Sequence, residues 1–163
     1  MKIGYCKNLE GIACINDYRY EAQSMGGIKT DYNLRCIGRA AFRHCANLKS
    51  VDLSNSFNLE TIYPEAFKEC KKLETILFSK VGSISSKAFI DCHAIRSLYI
   101  PECNLIASKA FYNCIHIEEV KIDKCSKIEE FAFERCFSLK KVIIPKDCEC
   151  LNNFSEKCEV VRI

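Results

Sequence analysis

The sequence predicts a solenoid, a right-handed coil of short turns with a parallel β-sheet along its concave side and short helical or irregular segments opposite. Three observations predict it. The dipeptide Ala-Phe recurs at Ala41-Phe42, Ala66-Phe67, Ala88-Phe89, Ala110-Phe111 and Ala132-Phe133, in steps of 25, 22, 22 and 22 residues. Each Phe is followed three positions later by a cysteine, Cys45, Cys70, Cys92, Cys114 and Cys136, and Cys158 continues the step of 22. Each Ala is preceded four positions earlier by an isoleucine, Ile37, Ile62, Ile84, Ile106 and Ile128. Self-similarity at a period of 20 to 50 residues is the signature of stacked repeats.

After each cysteine comes an alternating apolar piece: Leu48-Val51-Leu53, Leu73-Ile76-Phe78, Ile95-Leu98-Ile100, Ile117-Val120-Ile122 and Leu139-Val142-Ile144. Alternation with period two is what a strand buried on one face requires. This L-x-x-V-x-I piece, at this period, is the strand segment of a leucine-rich repeat. A single coil cannot bury its own apolar side, whereas stacked coils share one core. The recurring positions then become ladders, and the five Phe rings become a spine. The small Ala before each ring marks a tight turn.

The whole unit, I-x-x-x-A-F-x-x-C-x-x-L-x-x-V-x-I, resembles the BspA-like leucine-rich repeats, with Pro101 and Pro145 at that family's closing proline. The resemblance covers roughly residues 34 to 163. It implies the leucine-rich-repeat fold and a role in adhesion or protein recognition rather than catalysis, typically at a cell surface. Fold analogy carries function only by association.

Length and composition frame the same reading. One domain is expected in 163 residues, of which 48% are hydrophobic and 28% charged. We read 1–163 as a single solenoid, with a partial repeat over 1–14, an irregular insertion over 15–33, regular repeats of 22 to 25 residues over 34–147 and a degenerate repeat over 148–163. In that last repeat, Cys148-x-x-Leu151-x-x-Phe154 lacks the Ala, and Val161 and Ile163 read as a final strand. The insertion holds Tyr18, Tyr20, Met25 and Tyr32 and suits a decayed repeat or a recognition loop. Within it, Gly26-Gly27-Ile28-Lys29-Thr30 ends like a phosphate loop but lacks that motif's first glycine.

A net charge of +3, without long basic runs, argues against nucleic acid as the primary partner. The short apolar runs fall far below a membrane span. Charge and polarity enter early at the N-terminus, which is not the pattern of a secretory leader, so the sequence as written points to the cytosol. The family resemblance points instead to the cell surface.

The 13 cysteines read as packing rather than chemistry. Cys103 and Cys125 occupy a column that holds Leu34, Leu59 and Val81 in earlier repeats, so the site wants a small hydrophobe. No cofactor is expected. The only close cysteine pair is Cys148-x-Cys150, and His44, His93 and His116 stand in different registers, which argues against zinc. Cys45 beside His44 and Cys92 beside His93 are sequence neighbours that point different ways on a coil, not a nucleophile with its base. No catalytic residue is expected.

Binding is expected on the outward side of the concave strands. One outward column runs Asp52, Leu77, Tyr99, Lys121, Ile143, and the column before it Ser50, Thr75, Ser97, Glu119, Lys141. From these, Asp52, Leu77, Tyr99, Glu119, Lys121, Lys141 and Ile143 are the candidate partner-binding residues. Exposed apolar residues grouped on a surface mark interaction sites. The expected partner is a protein; end-to-end self-association of a spacer within a longer array is the alternative.

Overall fold

A computed structural model describes residues 6–9, 14–15, 26–150 and 154–163. The expected repeats are coils of a parallel-sheet solenoid of about six turns. Every ladder in it is parallel.

Each coil places one strand in a first row. The members are β1 (Cys6–Leu9), β3 (Gly27–Thr30), β5 (Ser50–Leu53), β7 (Thr75–Phe78), β11 (Lys141–Ile144), β13 (Glu159–Arg162) and the first halves of β9 (Ser97–Ile106) and β10 (Glu119–Ile128). A second row holds β2 (Cys14–Ile15), β4 (Cys36–Ile37), β6 (Thr61–Ile62), β8 (Val81–Ile84), the second halves of β9 and β10, and β12 (Glu149–Cys150). In β9 and β10 the chain runs through both rows without a break. Earlier coils turn between the rows; the 25-residue coil closes its turn through Ser56 N–H to Leu53 O and Leu59 N–H to Ser56 O.

This arrangement leaves one discontinuity. The first sheet runs β1-β3-β5-β7 and stops, while β9 joins β8, β10, β11 and β13 in the second. Strands β7 and β9 face each other in successive coils but are not hydrogen-bonded neighbours. Phe78 sits at this seam, where other coils carry Leu53, Ile100, Ile122 and Ile144. Its ring meets Phe89 edge-on, with centroids 6.4 Å apart and an interplanar angle of 85°.

The core follows the repeat columns. Val51, Ile76, Leu98, Val120 and Val142 are buried, as are the isoleucines before each turn. The Phe spine is continuous: Phe42, Phe67, Phe89, Phe111 and Phe133 stack at 5.1, 4.9, 5.0 and 5.2 Å, nearly coplanar. Phe154 extends it, tilted, at 5.8 Å. Five coils therefore share an unbroken aromatic column of the offset-stacking type.

Opposite the strands, the Ala-Phe-x-x-Cys segments are turns, the irregular form of the two expected. Two non-glycine residues per coil adopt left-handed backbone: Ala40 and His44, Glu65 and Glu69, Lys87 and Asp91, Lys109 and Asn113, Phe131 and Arg135, with φ between 53° and 64°. The alternation turns amide groups toward the next coil. Phe42 N–H reaches Ala66 O at 2.7 Å, and Phe67, Phe89 and Phe111 donate to Ala88, Ala110 and Ala132 at 2.8 Å. A second line runs from the left-handed residues themselves, such as Glu69 to Ile90 at 2.9 Å and Asp91 to Tyr112 at 3.0 Å. A helix would keep these bonds within its own segment; here they tie coil to coil.

Gly27–Thr30 lies inside the stretch 15–33 read as an insertion, yet it is a strand in register with β5, Ile28 opposite Val51. Thr30 takes the core column, its hydroxyl satisfied by Ser56 Oγ at 2.5 Å. An extended strand with a buried Thr is not a phosphate loop. Tyr18, Tyr20 and Met25 lie outside the described residues. In β13 the register sets Val160, not Val161, opposite Val142 on the core column.

Candidate functional site

Pairing fixes the outward columns on each side of the seam, and the repeat spacing joins them across it. The middle one reads Lys29, Asp52, Leu77, Tyr99, Lys121, Ile143, Val161, and the one before it Gly27, Ser50, Thr75, Ser97, Glu119, Lys141, Glu159. All seven candidate residues stand on this face, but they do not form one site. Tyr99, Glu119 and Lys121, with Ser97 and Leu98, line a shallow depression of about 320 Å³. Leu77 precedes Tyr99 by one coil, across the seam. Asp52 is two coils away and pairs with Lys29 at 3.9 Å and with the Ser54 hydroxyl at 2.6 Å. Lys141, one coil beyond, reaches Glu159 at 4.0 Å, and Ile143 is only partly exposed.

Leu77 is 48% exposed and Tyr99 47%. They stand on the two lips of the seam, an apolar pair where the neighbouring coils carry Asp52 and Lys121.

Tyr99 is held in place. Its hydroxyl donates to Asp123 Oδ2 at 2.6 Å, Lys121 Nζ reaches Asp123 Oδ1 at 3.1 Å, and the same ammonium lies 5.0 Å from the Tyr99 ring centroid. The bond to Asp123 raises the phenol pKa above its ordinary value, and the bonds from Tyr99 and Lys121 lower that of the Asp123 carboxyl. Lys121 is raised in turn by Asp123. The ring is thus presented in one orientation, with little rotamer entropy left to lose on binding.

Sequence reasoning missed Lys29 and Asp123. Lys29 was hidden because Thr30 replaces the usual aliphatic residue and breaks the alternating pattern. Asp123 lies two residues beyond Lys121, a spacing that places both on the same side of a strand.

The cysteine ladder does more than fill space. The thiols of Cys70, Cys92, Cys114 and Cys136 donate to the carbonyl oxygens of Phe42, Phe67, Phe89 and Phe111 in the preceding coil, at 3.1 to 3.3 Å. Burial raises the pKa of Cys92 and Cys114 and pushes that of Cys136 up to about 12. These thiols stay protonated at neutral pH, the state in which they can donate. Cys158 departs from the ladder, its thiol directed at Glu159 O. Cys103 and Cys125 are register neighbours and both free, whereas Cys36 is disulfide-bonded, so the reading of cysteine as packing does not extend to it.

His44 turns outward to Glu69 at 3.2 Å while Cys45 is buried. His93 lies near Asp91 and Asn113 on the turn side. Among the described residues no group of three or more His, Cys, Asp or Glu is placed to hold a metal ion, and no helix is long and apolar enough to cross a membrane.

The BspA type leucine rich repeat region matches this chain in six copies, over residues 13–136 and 82–160. The chain belongs to the BspA-type leucine-rich repeat family. Solved structures show the same fold. A T. pallidum leucine rich repeat protein is similar over 96% of this chain and 73% of its own, with a TM-score of 0.71 and 21% identity. The pneumococcal vaccine antigen PcpA is similar over 83% of this chain and 35% of its own, with a TM-score of 0.65 and 18% identity. A leucine rich cell surface protein from Faecalibacterium prausnitzii is similar over 80% of this chain and 42% of its own, with a TM-score of 0.59 and 22% identity. This BspA-type chain thus spans less than half the length of the latter two. No curated protein matches it.

Proposed function

We propose that this BspA-type repeat protein is a non-enzymatic protein-interaction module that binds through its outward sheet face, centred on Leu77 and Tyr99. The observation that carries this reading is the pair of half-exposed apolar side chains on the lips of the seam, beside the depression lined by Tyr99, Glu119 and Lys121. Large rigid aromatics flanked by polar groups make strong binding anchors. Adhesion-type recognition fits the family, one member of the same fold being named a cell surface protein.

The test is differential capture. Wild type, a Tyr99→Ala/Lys121→Glu double variant and a turn-side control, Lys68→Ala, are used as bait in the same lysate. Partners held by wild type and the control but lost by the double variant support the sheet face. Identical partners for all three reject it.

A second reading, association through the coil ends, rests on the C-terminal coil. There Val160, on a core column, is 42% exposed and Ile163 is 54% exposed. Analytical ultracentrifugation distinguishes the two: concentration-dependent growth in mass, lost on Val160→Lys, favours the ends.

A further inference from the structure

Among the described residues of the outward columns, with Asp123 beside them, the carboxylates are compensated with one exception; on the rim, exposed Glu74 also has no cation within ion-pair distance. Asp52 has Lys29, Asp123 has Lys121 and the Tyr99 hydroxyl, and Glu159 has Lys141. Glu118, on the rim beside the face, has both Lys140 at 2.7 Å and Arg96 at 3.8 Å. Glu119 is exposed and has no cation within ion-pair distance among the described residues. It lines the same depression as Tyr99.

We infer that this depression receives an arginine side chain of the protein partner, its guanidinium paired with Glu119 and resting against the Tyr99 ring. The inference rests on the sheet face being the binding surface. Three features select this chemistry. The charge left over on the face is negative and sits at the depression. A phenol ring is held at its side by Asp123, and the quadrupole of such a ring attracts a cation; the Lys121 ammonium, 5.0 Å from the centroid, takes one face of it and leaves the guanidinium the other. Ser97 completes the lining with a hydroxyl acceptor, while the Leu98 side chain is buried in the core beneath. A guanidinium is flat, weakly hydrated and forked to match a carboxylate, which an ammonium is not. Lys121 does not oppose it strongly, because its charge is already balanced by Asp123 at 3.1 Å. Leu77, one coil before Tyr99, offers apolar surface to the methylene stem.

The probe is acetyl-arginine N-methylamide, titrated into the full chain at low salt and followed by amide and side-chain NMR. Its neutral isostere, acetyl-citrulline N-methylamide, and acetyl-lysine N-methylamide with its ε-amine free serve as comparisons. We expect saturable shifts at Ser97, Tyr99, Glu119 and Lys121 with the arginine probe, at a half-saturation at least fivefold below that of either comparison. Glu119→Gln, a surface change that leaves the remaining spectrum in place, is expected to remove that advantage, and raising the salt to weaken it. Equal responses to arginine and citrulline, a response unaltered in Glu119→Gln, or a preference for lysine would each overturn the inference. None of these results bears on the sheet face as such, which stands or falls on the capture experiment with the Tyr99→Ala/Lys121→Glu variant.

Discussion

Phe78 meets Phe89 edge-on at 6.4 Å, and at that point the first row of strands loses its hydrogen-bonded continuity. The ring fills a column that holds Leu53 one coil earlier and Ile100 one coil later, and we attribute the seam to its extra bulk. Amides of Ser97 and Tyr99, which face the preceding coil, should therefore exchange with solvent faster than those of Glu119 and Lys121, which face β9 in the β9–β10 ladder. Phe78→Leu should slow exchange at Ser97 and Tyr99 by about tenfold or more by letting the strands close. Hydrogen exchange read by NMR decides it, and unchanged rates would show that the seam has another cause.

The thiol of Cys92 donates to Phe67 O at 3.1 Å, an oxygen that also accepts from Cys70 N–H. Cys92→Ala removes the sulfur and the donor together in a fully buried site. The expected cost is about 1–3 kcal/mol, from a small cavity plus a weakened hydrogen bond. Urea unfolding monitored by circular dichroism measures it. Cys158→Ala, at a partly buried thiol outside the ladder, should cost less.

Gly82 lies directly against the preceding coil, since a Cβ there would stand 2.4 Å from the Glu60 carbonyl oxygen. A backbone atom on a hydrogen-bonded coil cannot move aside cheaply. Gly82→Ala should destabilise the protein by about 2 kcal/mol or more, through forced separation of coils. A thermal melt reads this as a lowered Tm, and a shift within error would mean the coils yield more easily than their ladders imply.

Each repeat column that became a ladder was readable from spacing alone, because stacking puts residues 22 apart into contact and selects the same residue type each time. Phe42 to Phe133 illustrate it: recurrence along the chain became ring upon ring. The candidate site was legible only as a list of outward positions. Alternation shows that Tyr99 and Lys121 face away from the core, but not that Asp123 fastens them together or that Glu119 is left uncompensated. Those facts depend on side-chain directions between coils. The seam was hidden for a related reason: Phe78 conforms to the apolar pattern, and only its volume sets it apart. Thr30 failed in the opposite sense, breaking the pattern while occupying the core column, since Ser56 satisfies its hydroxyl.

The Tyr99–Asp123 bond makes an acid–base prediction of both signs. For Tyr99 the folded pKa is raised by Asp123, so its stabilising contribution is present below the unfolded phenol value near 10 and is lost as pH rises through the folded value. For Asp123 the folded pKa is lowered, so its contribution is present above the unfolded carboxyl value near 3.9 and is lost as pH falls through the folded value. Side-chain NMR titration should show Tyr99 ionising later than an ordinary phenol, and Asp123→Asn should bring it back down. No downward movement in Asp123→Asn would rule out the hydrogen bond as the cause.

Neighbouring rings of the spine lie 4.9 to 5.2 Å apart, against a spacing of about 4.8 Å between hydrogen-bonded strands. With so slight a difference across the body of each coil, the stack bends toward its strands only gently. A tightly curved horseshoe grips a rounded partner, whereas this face is a shallow trough in which each further coil adds length and hardly any wrap. As the proposed binding face it suits an elongated or flat partner, with a contact area that grows in direct proportion to the number of coils engaged.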